Sequence, residues 1–312
     1  MKTIFLGTPS VAVPFLNLLC EKQPPLLVIT RADSPSGRGL KLTPSPVKIA
    51  ALECSIAVAT PGNSAEIARE LAAVKPDLAV VVAYGRLLKN DALSVPSIGC
   101  INIHFSLLPK YRGAAPVQRA LMNGETETGV TSFWLDEGMD TGPVCVSEKT
   151  QIAPDDNAAS LMDKLVSLGL VVLDKTLSAV AAGNPPRIPQ TGEASFAPLL
   201  KTSEAFLDFS FSAAQLHNKV RGLALGPHAR VYTVINGRKT LVQVLKTSLA
   251  PSANAVVKPG AVARVERGKG FVVQCIDGAL LVEAVRPEGK KSVPAWDFAN
   301  GFQLKAGDMF AV

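Results

Sequence analysis

CINIHFSLLPKYRGAAP, residues 100–116, opens as a short apolar strand and stops abruptly in polar and conformationally restricted residues. Side chains along a strand alternate faces, so Asn102 and His104 project to the same side. An amide beside an imidazole at a strand end is a donor pair able to hold a developing oxyanion and move a proton. Pro109, Gly113 and Pro116 restrict the loop that follows, which is expected to wall a pocket.

Upstream, residues 2–6, 26–30 and 78–83 read as further strands, with helical patterns at 11–19, 47–52 and 66–74 between them. The run LAVVVAY at 78–84 lacks polar alternation, as expected of a strand covered on both faces. This order predicts βαβ units and an α/β fold with a doubly wound, mostly parallel, Rossmann-like sheet. Strands at 129–135 and 144–150, joined by the short DEGMDTGP, extend that sheet in antiparallel fashion. Leu161, Leu165, Leu168 and Val172 at helical spacing predict a helix over 157–182, closed by Gly183. The opening MKTIFLGTPS reads as strand and turn rather than a secretory signal, because Gly7-Thr8-Pro9 interrupts the apolar run early.

Residues 184–203 hold four prolines and few periodic apolar residues, so they are expected to link a domain at 1–183 to a second at 204–312. Beyond a short helix at 212–221 the pattern changes to hairpins. Asn236-Gly237 separates 230–235 from 239–246, and Asp277-Gly278 separates 271–276 from 279–286. With 260–266 this makes about five strands, consistent with a small OB-like β-barrel.

The net charge of +6 is one-sided. Residues 1–200 carry 17 Lys+Arg and 18 Asp+Glu, a net of −1, whereas residues 201–312 carry 15 and 8, a net of +7. A basic excess confined to the second domain suggests a polyanionic partner, most simply nucleic acid. No apolar run approaches the ~20 residues of a membrane span. Five scattered cysteines without C-x-x-C spacing point to a reducing, cytoplasmic compartment and to no structural zinc.

Downstream of His104, Asp140 sits in EGMDTG, where flanking glycines let the backbone turn tightly. Such a turn can fold over the strand ends, and its carboxylate would set the imidazole tautomer and raise its basicity. Residues 31–46, RADSPSGRGLKLTPSP, have no regular pattern. Arg38 lies there between two glycines, and Lys41 and Lys48 follow, with Asp33 the single acid nearby. A basic finger of this kind suits phosphate contact. Gly7-Thr8-Pro9 lacks the later glycines of a dinucleotide fingerprint, and His217 and His228 have no metal-ligand spacing.

NIHFSLLPKYRG at 102–113, followed by DEGMDTG at 136–142, resembles the folate-dependent formyltransferases, which move a formyl group from 10-formyltetrahydrofolate to an amine. The resemblance implies that Asn102, His104 and Asp140 are catalytic. It implies that Ser106, Leu107, Leu108 and Pro109 line the folate site and that Tyr84, Gly85 and Leu87 form another wall. FLGTPSVAVP at 5–14 and GRGLKLTPSPVK at 37–48 resemble the branch of the family acting on initiator tRNA charged with methionine. That branch implies Arg38 as the main contact to the acceptor end, with Lys41 and Lys48 beside it, and a tRNA-binding role for the basic barrel. It further implies 10-formyltetrahydrofolate as co-substrate, no metal, and a monomer.

Other acceptors within the family are an amino-sugar nucleotide or glycinamide ribonucleotide, against which the second domain and the Arg38 loop count. A non-catalytic RNA-binding role is opposed by intact Asn102, His104 and Asp140. Phe105 stands where the family usually has a small residue and is expected to narrow the pocket. LALGPHAR at 223–230 and Leu207-Asp208-Phe209 also depart from the usual Trp-containing segments.

Overall fold

The computed structural model describes residues 1–36, 41–235, 237–251 and 257–311. It divides into two compact units, the first built from 1–113, 127–150 and 163–197. In chain order its strands are β1 (Thr3–Gly7), β2 (Val28–Ile29), β3 (Ser34–Ser36), β4 (Lys41–Thr43), β5 (Val58–Ala59), β6 (Leu78–Val82), β7 (Gly99–His104), β8 (Glu127–Trp134) and β9 (Val144–Gln151). The main sheet runs β5-β2-β1-β6-β7-β8-β9. Pairings from β5 through β7 are parallel, and β8 joins β7 antiparallel, as the pattern of short apolar runs predicts. Every residue of β1 and of β6 is buried, which explains their lack of polar alternation. Helices α1 (Val13–Lys22), α2 (Pro46–Glu53), α3 (Ser64–Val74) and α4 (Asn90–Leu93) connect the strands. Strand order reverses between β1 and β6, so a crevice forms beyond the carboxyl ends of β1, β6 and β7.

The segment 31–46 differs from its reading as structureless. β3 and β4 pair antiparallel, Ser34 with Thr43, Pro35 with Leu42 and Ser36 with Lys41, so the segment is a two-stranded ribbon. Polar and apolar residues mixed over only three positions per strand carry no period that sequence can read. Arg38 lies outside the described residues.

The second unit comprises 114–126, 151–162 and 198–312. It contains α5 (Pro116–Met122), the start of α6 (Ala158–Ala181), α7 (Ala213–Gly222) and α8 (Ala295–Gly301). Its strands are β10 (Ala229–Ile235), β11 (Arg238–Ala250), β12 (Val262–Glu266), β13 (Gly270–Gln274), β14 (Ala279–Pro287), β15 (Val293–Pro294) and β16 (Phe310–Ala311). The sheet runs β12-β13-β14-β11-β10-β16, and an antiparallel bridge between Ala261 and Met309 brings its two ends together. The strand set therefore curls into an OB-like barrel. Val231, Val242, Phe271, Leu280, Val282 and Phe310 fill it. α5 packs on α7, where Gly222 lets the helices close: a Cβ there would stand 2.8 Å from the Gln118 carbonyl oxygen. No helix among the described residues is long and apolar enough to cross a membrane.

Candidate active site

The last residue of β7 is His104, 6% exposed, with Asn102 two residues before it on the same face. The imidazole Nε2 lies 2.9 Å from the carbonyl oxygen of Tyr111, and Nδ1 lies 3.7 Å from Asp140 Oδ2. A carbonyl only accepts, so Nε2 carries the proton and donates to Tyr111, leaving the Nδ1 lone pair of the neutral ring facing the carboxylate. This differs from the expectation that Asp140 fixes the tautomer. The Tyr111 backbone does so, and Asp140 acts across a gap through its charge. Burial holds the His104 pKa below the usual imidazole value, opposed by the Asp140 charge and then by the Tyr111 contact. The neutral ring is thus the resting form near pH 7, ready to accept a proton at Nδ1.

Asp140 adopts φ +55°, the left-handed region that Asp tolerates better than most side chains. Its Oδ2 accepts a 2.7 Å hydrogen bond from the Gly113 amide, which ties the acidic turn to the loop after His104. The turn is also closed internally, with Asp136 Oδ1 accepting from the Gly138 amide and the Thr141 hydroxyl. Asn102 is half-buried, and its amide makes no hydrogen bond to any described residue. It is available to a ligand.

The residues expected to line a folate site fall into two groups. Leu107, Leu108 and Pro109 are half-buried along the loop, Gly85 has φ +78° with open space around its Cα, and Leu87 is 62% exposed. These can form a wall. Ser106 and Tyr84 cannot present their side chains. Ser106 is fully buried and its hydroxyl donates to the Lys110 carbonyl at 2.6 Å, folding the loop. Tyr84, 2% exposed, packs among Ile4, Leu6 and Leu88 in the core beneath the crevice. Of the basic finger, Lys41 is exposed, whereas Lys48 Nζ holds Asp33 with 2.8 and 3.0 Å contacts. That ion pair competes with any phosphate for Lys48. Among the described residues no cluster of three or more His, Cys, Asp or Glu is placed to hold a metal ion.

Residues 1–177 match the Formyl transferase family model, and residues 199–303 match that of the Formyl transferase C-terminal domain. The methionyl-tRNA formyltransferase of Elusimicrobium minutum is 43% identical, with 99% of each chain covered. That of Symbiobacterium thermophilum is 41% identical over 100% of this chain and 95% of its own. The chain belongs to the methionyl-tRNA formyltransferase family. The fold is shared more widely: a Helicobacter canadensis N-formyltransferase, solved with folinic acid and dTDP-3-aminofucose, superposes with a TM-score of 0.67 at 21% identity, covering 90% of this chain and 97% of its own.

Among formyltransferase features, Phe105 does not narrow the pocket. It has the parity of Ile103, opposite to His104, and is buried edge-on against Phe15 of α1 with ring centroids 6.1 Å apart. Phe105→Ala is therefore expected to lower stability by about 3–5 kcal/mol, as a buried aromatic truncation does. The KM for the folate should stay within about twofold of the parent, since the cavity opens in the core rather than the crevice. Urea denaturation and steady-state kinetics on one preparation check both.

Sequence reading did not single out Tyr111, Arg112, Gln190 and Ser195 as site residues. The Ser195 Oγ accepts from the Tyr111 amide at 2.9 Å, and the Gln190 Oε1 accepts from Arg112 Nη2 at 2.6 Å. Gln190 and Ser195 lie in the proline-rich segment, which has no periodic pattern. Tyr111 contributes through a backbone carbonyl, aimed by φ +61°.

Proposed function

We propose that this chain is a monomeric cytoplasmic enzyme that transfers the formyl group of 10-formyltetrahydrofolate to the free α-amine of methionine on initiator tRNA, for translation initiation. The reading rests above all on His104, Asn102 and Asp140 gathered at the carboxyl end of β7, in a chain related over its whole length to methionyl-tRNA formyltransferases. The first unit, which includes 184–197, supplies the chemistry, and the basic barrel within 204–312 binds the tRNA.

Asn102 donates to the oxyanion formed when the neutral amine attacks the formyl carbon; one such donor contributes ~3 kcal/mol to the transition state. His104 takes the amine proton at Nδ1, and Asp140 stabilises the imidazolium so formed. The same Nδ1–H then returns the proton to the departing folate nitrogen as the oxyanion collapses and the carbon–nitrogen bond breaks. Holding donor and acceptor together supplies much of the remaining acceleration. Leu107, Leu108, Pro109, Gly85 and Leu87 offer the folate an apolar wall. Lys41, exposed on the ribbon, and Arg38 reach the acceptor end of the tRNA.

Labelled 10-formyltetrahydrofolate offered with Met-tRNA, an amino-sugar nucleotide or glycinamide ribonucleotide tests the acceptor. Label should pass to Met-tRNA; transfer to either nucleotide instead would replace this reading. If the barrel and finger contact phosphates, the apparent KM for Met-tRNA should rise steeply with salt, roughly tenfold or more between about 50 and 200 mM. Arg38→Ala should raise that KM while leaving folate affinity near the parent value. A salt-independent KM would contradict the basic-domain argument.

A further inference from the structure

The two groups that face His104, the Tyr111 carbonyl and Asp140, are both held from the same short piece of chain. Ser195 accepts from the Tyr111 amide through its hydroxyl and from the Arg112 amide at 2.8 Å through its carbonyl. Gln190 reaches the acidic turn. Its Nε2 donates to the Asp140 carbonyl at 2.9 Å and to the Gly142 carbonyl at 2.8 Å, while its Oε1 accepts from Arg112 Nη2 at 2.6 Å and from Nε at 3.2 Å. A guanidinium only donates and carbonyls only accept, so the orientation of this amide is set by its partners. One half-buried side chain thereby spans both walls around the imidazole, the loop 111–113 and the turn 136–142. The Gly113–Asp140 bond ties the same two walls directly.

We propose that Gln190 is a positioning residue for formyl transfer: its amide bridges Arg112 and the carbonyls of Asp140 and Gly142, holding the Asp140 carboxylate at its working distance from His104. The proposal rests on Asp140 and His104 being catalytic. No other side chain type of this size replaces it. A glutamate at 190 has the same length and keeps Arg112, but it turns a carboxylate toward two carbonyls and cannot donate. A non-polar residue releases all three partners.

Gln190→Ala and Gln190→Glu are measured beside Asp140→Asn in single-turnover formylation of Met-tRNA. Each Gln190 variant should lose about tenfold or more in rate, with KM for folate and tRNA within about threefold of the parent. The pH–rate profile separates positioning from mere support. The charged group facing His104 is Asp140, whose charge raises the imidazole pKa, so a displaced Asp140 should move the ascending limb to lower pH, in the direction Asp140→Asn moves it. The double variant Asp140→Asn/Gln190→Ala should be no slower than Asp140→Asn alone, because both act through one carboxylate. Parent-like rates in Gln190→Glu, an unmoved limb, or multiplicative losses in the double variant would each overturn the role of Gln190. An Asp140→Asn enzyme as fast as the parent would instead remove the catalytic reading beneath it.

Discussion

His104→Ala is expected to lower formyl transfer by about 10²- to 10⁴-fold, the range lost with a general acid–base group. Binding of the folate should survive, because the imidazole is 6% exposed and faces Tyr111 and Asp140 rather than the apolar wall of Leu107, Leu108 and Pro109. Asp140→Asn should cost roughly 10²-fold, since the asparagine keeps a side-chain acceptor for the Gly113 amide but removes the charge that stabilises imidazolium. The pH dependence has a definite sign. Burial depresses the His104 pKa and the Asp140 charge partly opposes it, so the rate should rise with pH along a limb centred below the usual imidazole value. Removing the charge lowers that pKa further. The limb of Asp140→Asn should therefore lie at lower pH than the parent limb, with a lower plateau. Single-turnover rates across about pH 5 to 8 give both quantities. Parent-like rates in both variants, or a limb moving upward in Asp140→Asn, would rule out this pair as the proton-handling centre.

The parts of this centre readable from sequence are those that depend on local period. Asn102 and His104 share a face because strands alternate, and β7 is buried enough to be recognised as a strand. The same rule applied one residue further would have turned Phe105 away from the crevice and onto α1. Asp140 was legible through its flanking glycines. The orientation of the Tyr111 carbonyl was not, because it follows from a left-handed φ at a residue whose type favours no such conformation. Nor was the brace at Gln190, which meets its partners across 48 to 78 residues of chain and leaves no trace in local composition. Tyr84 shows the limit of motif transfer: it matches a site segment, yet the chain turns at Ala83 with φ +47° and sends the ring into the core. The fold was more legible than the site, since α/β alternation and hairpin turns are repeated signals. α5 escaped because it is a single short helix lying within the second unit, although it is inserted between β7 and β8 of the first.

The glycines beside Asp140 carry the second large effect. A Cβ at Gly142 would lie 1.8 Å from the Trp134 carbonyl oxygen, far inside contact distance and against backbone that belongs to β8. That carbonyl cannot swing aside without disturbing the end of β8, where Trp134 is buried and Pro143 O accepts from the Trp134 amide at 2.9 Å. Gly142→Ala should therefore displace the turn rather than the strand, because the turn is the less buried partner. The displacement carries Asp140 with it, two residues away, along with the Gly142 carbonyl that Gln190 holds. Rate should fall by about 10²-fold or more, as geometric misplacement of a catalytic group by an ångström does, while the loss of stability stays within about 1–3 kcal/mol. At Gly142 the penalty is the contact itself; Gly85→Ala is a control of the other kind, where φ +78° strains the backbone of an alanine but a Cβ meets nothing within 4 Å. It should cost about 1 kcal/mol or so of stability, with no comparable loss of rate. Thermal melts and single-turnover kinetics on the two variants distinguish a displaced carboxylate from a generally weakened chain. Equal rate losses in Gly142→Ala and Gly85→Ala would show that backbone strain near the crevice, rather than the position of Asp140, sets the rate.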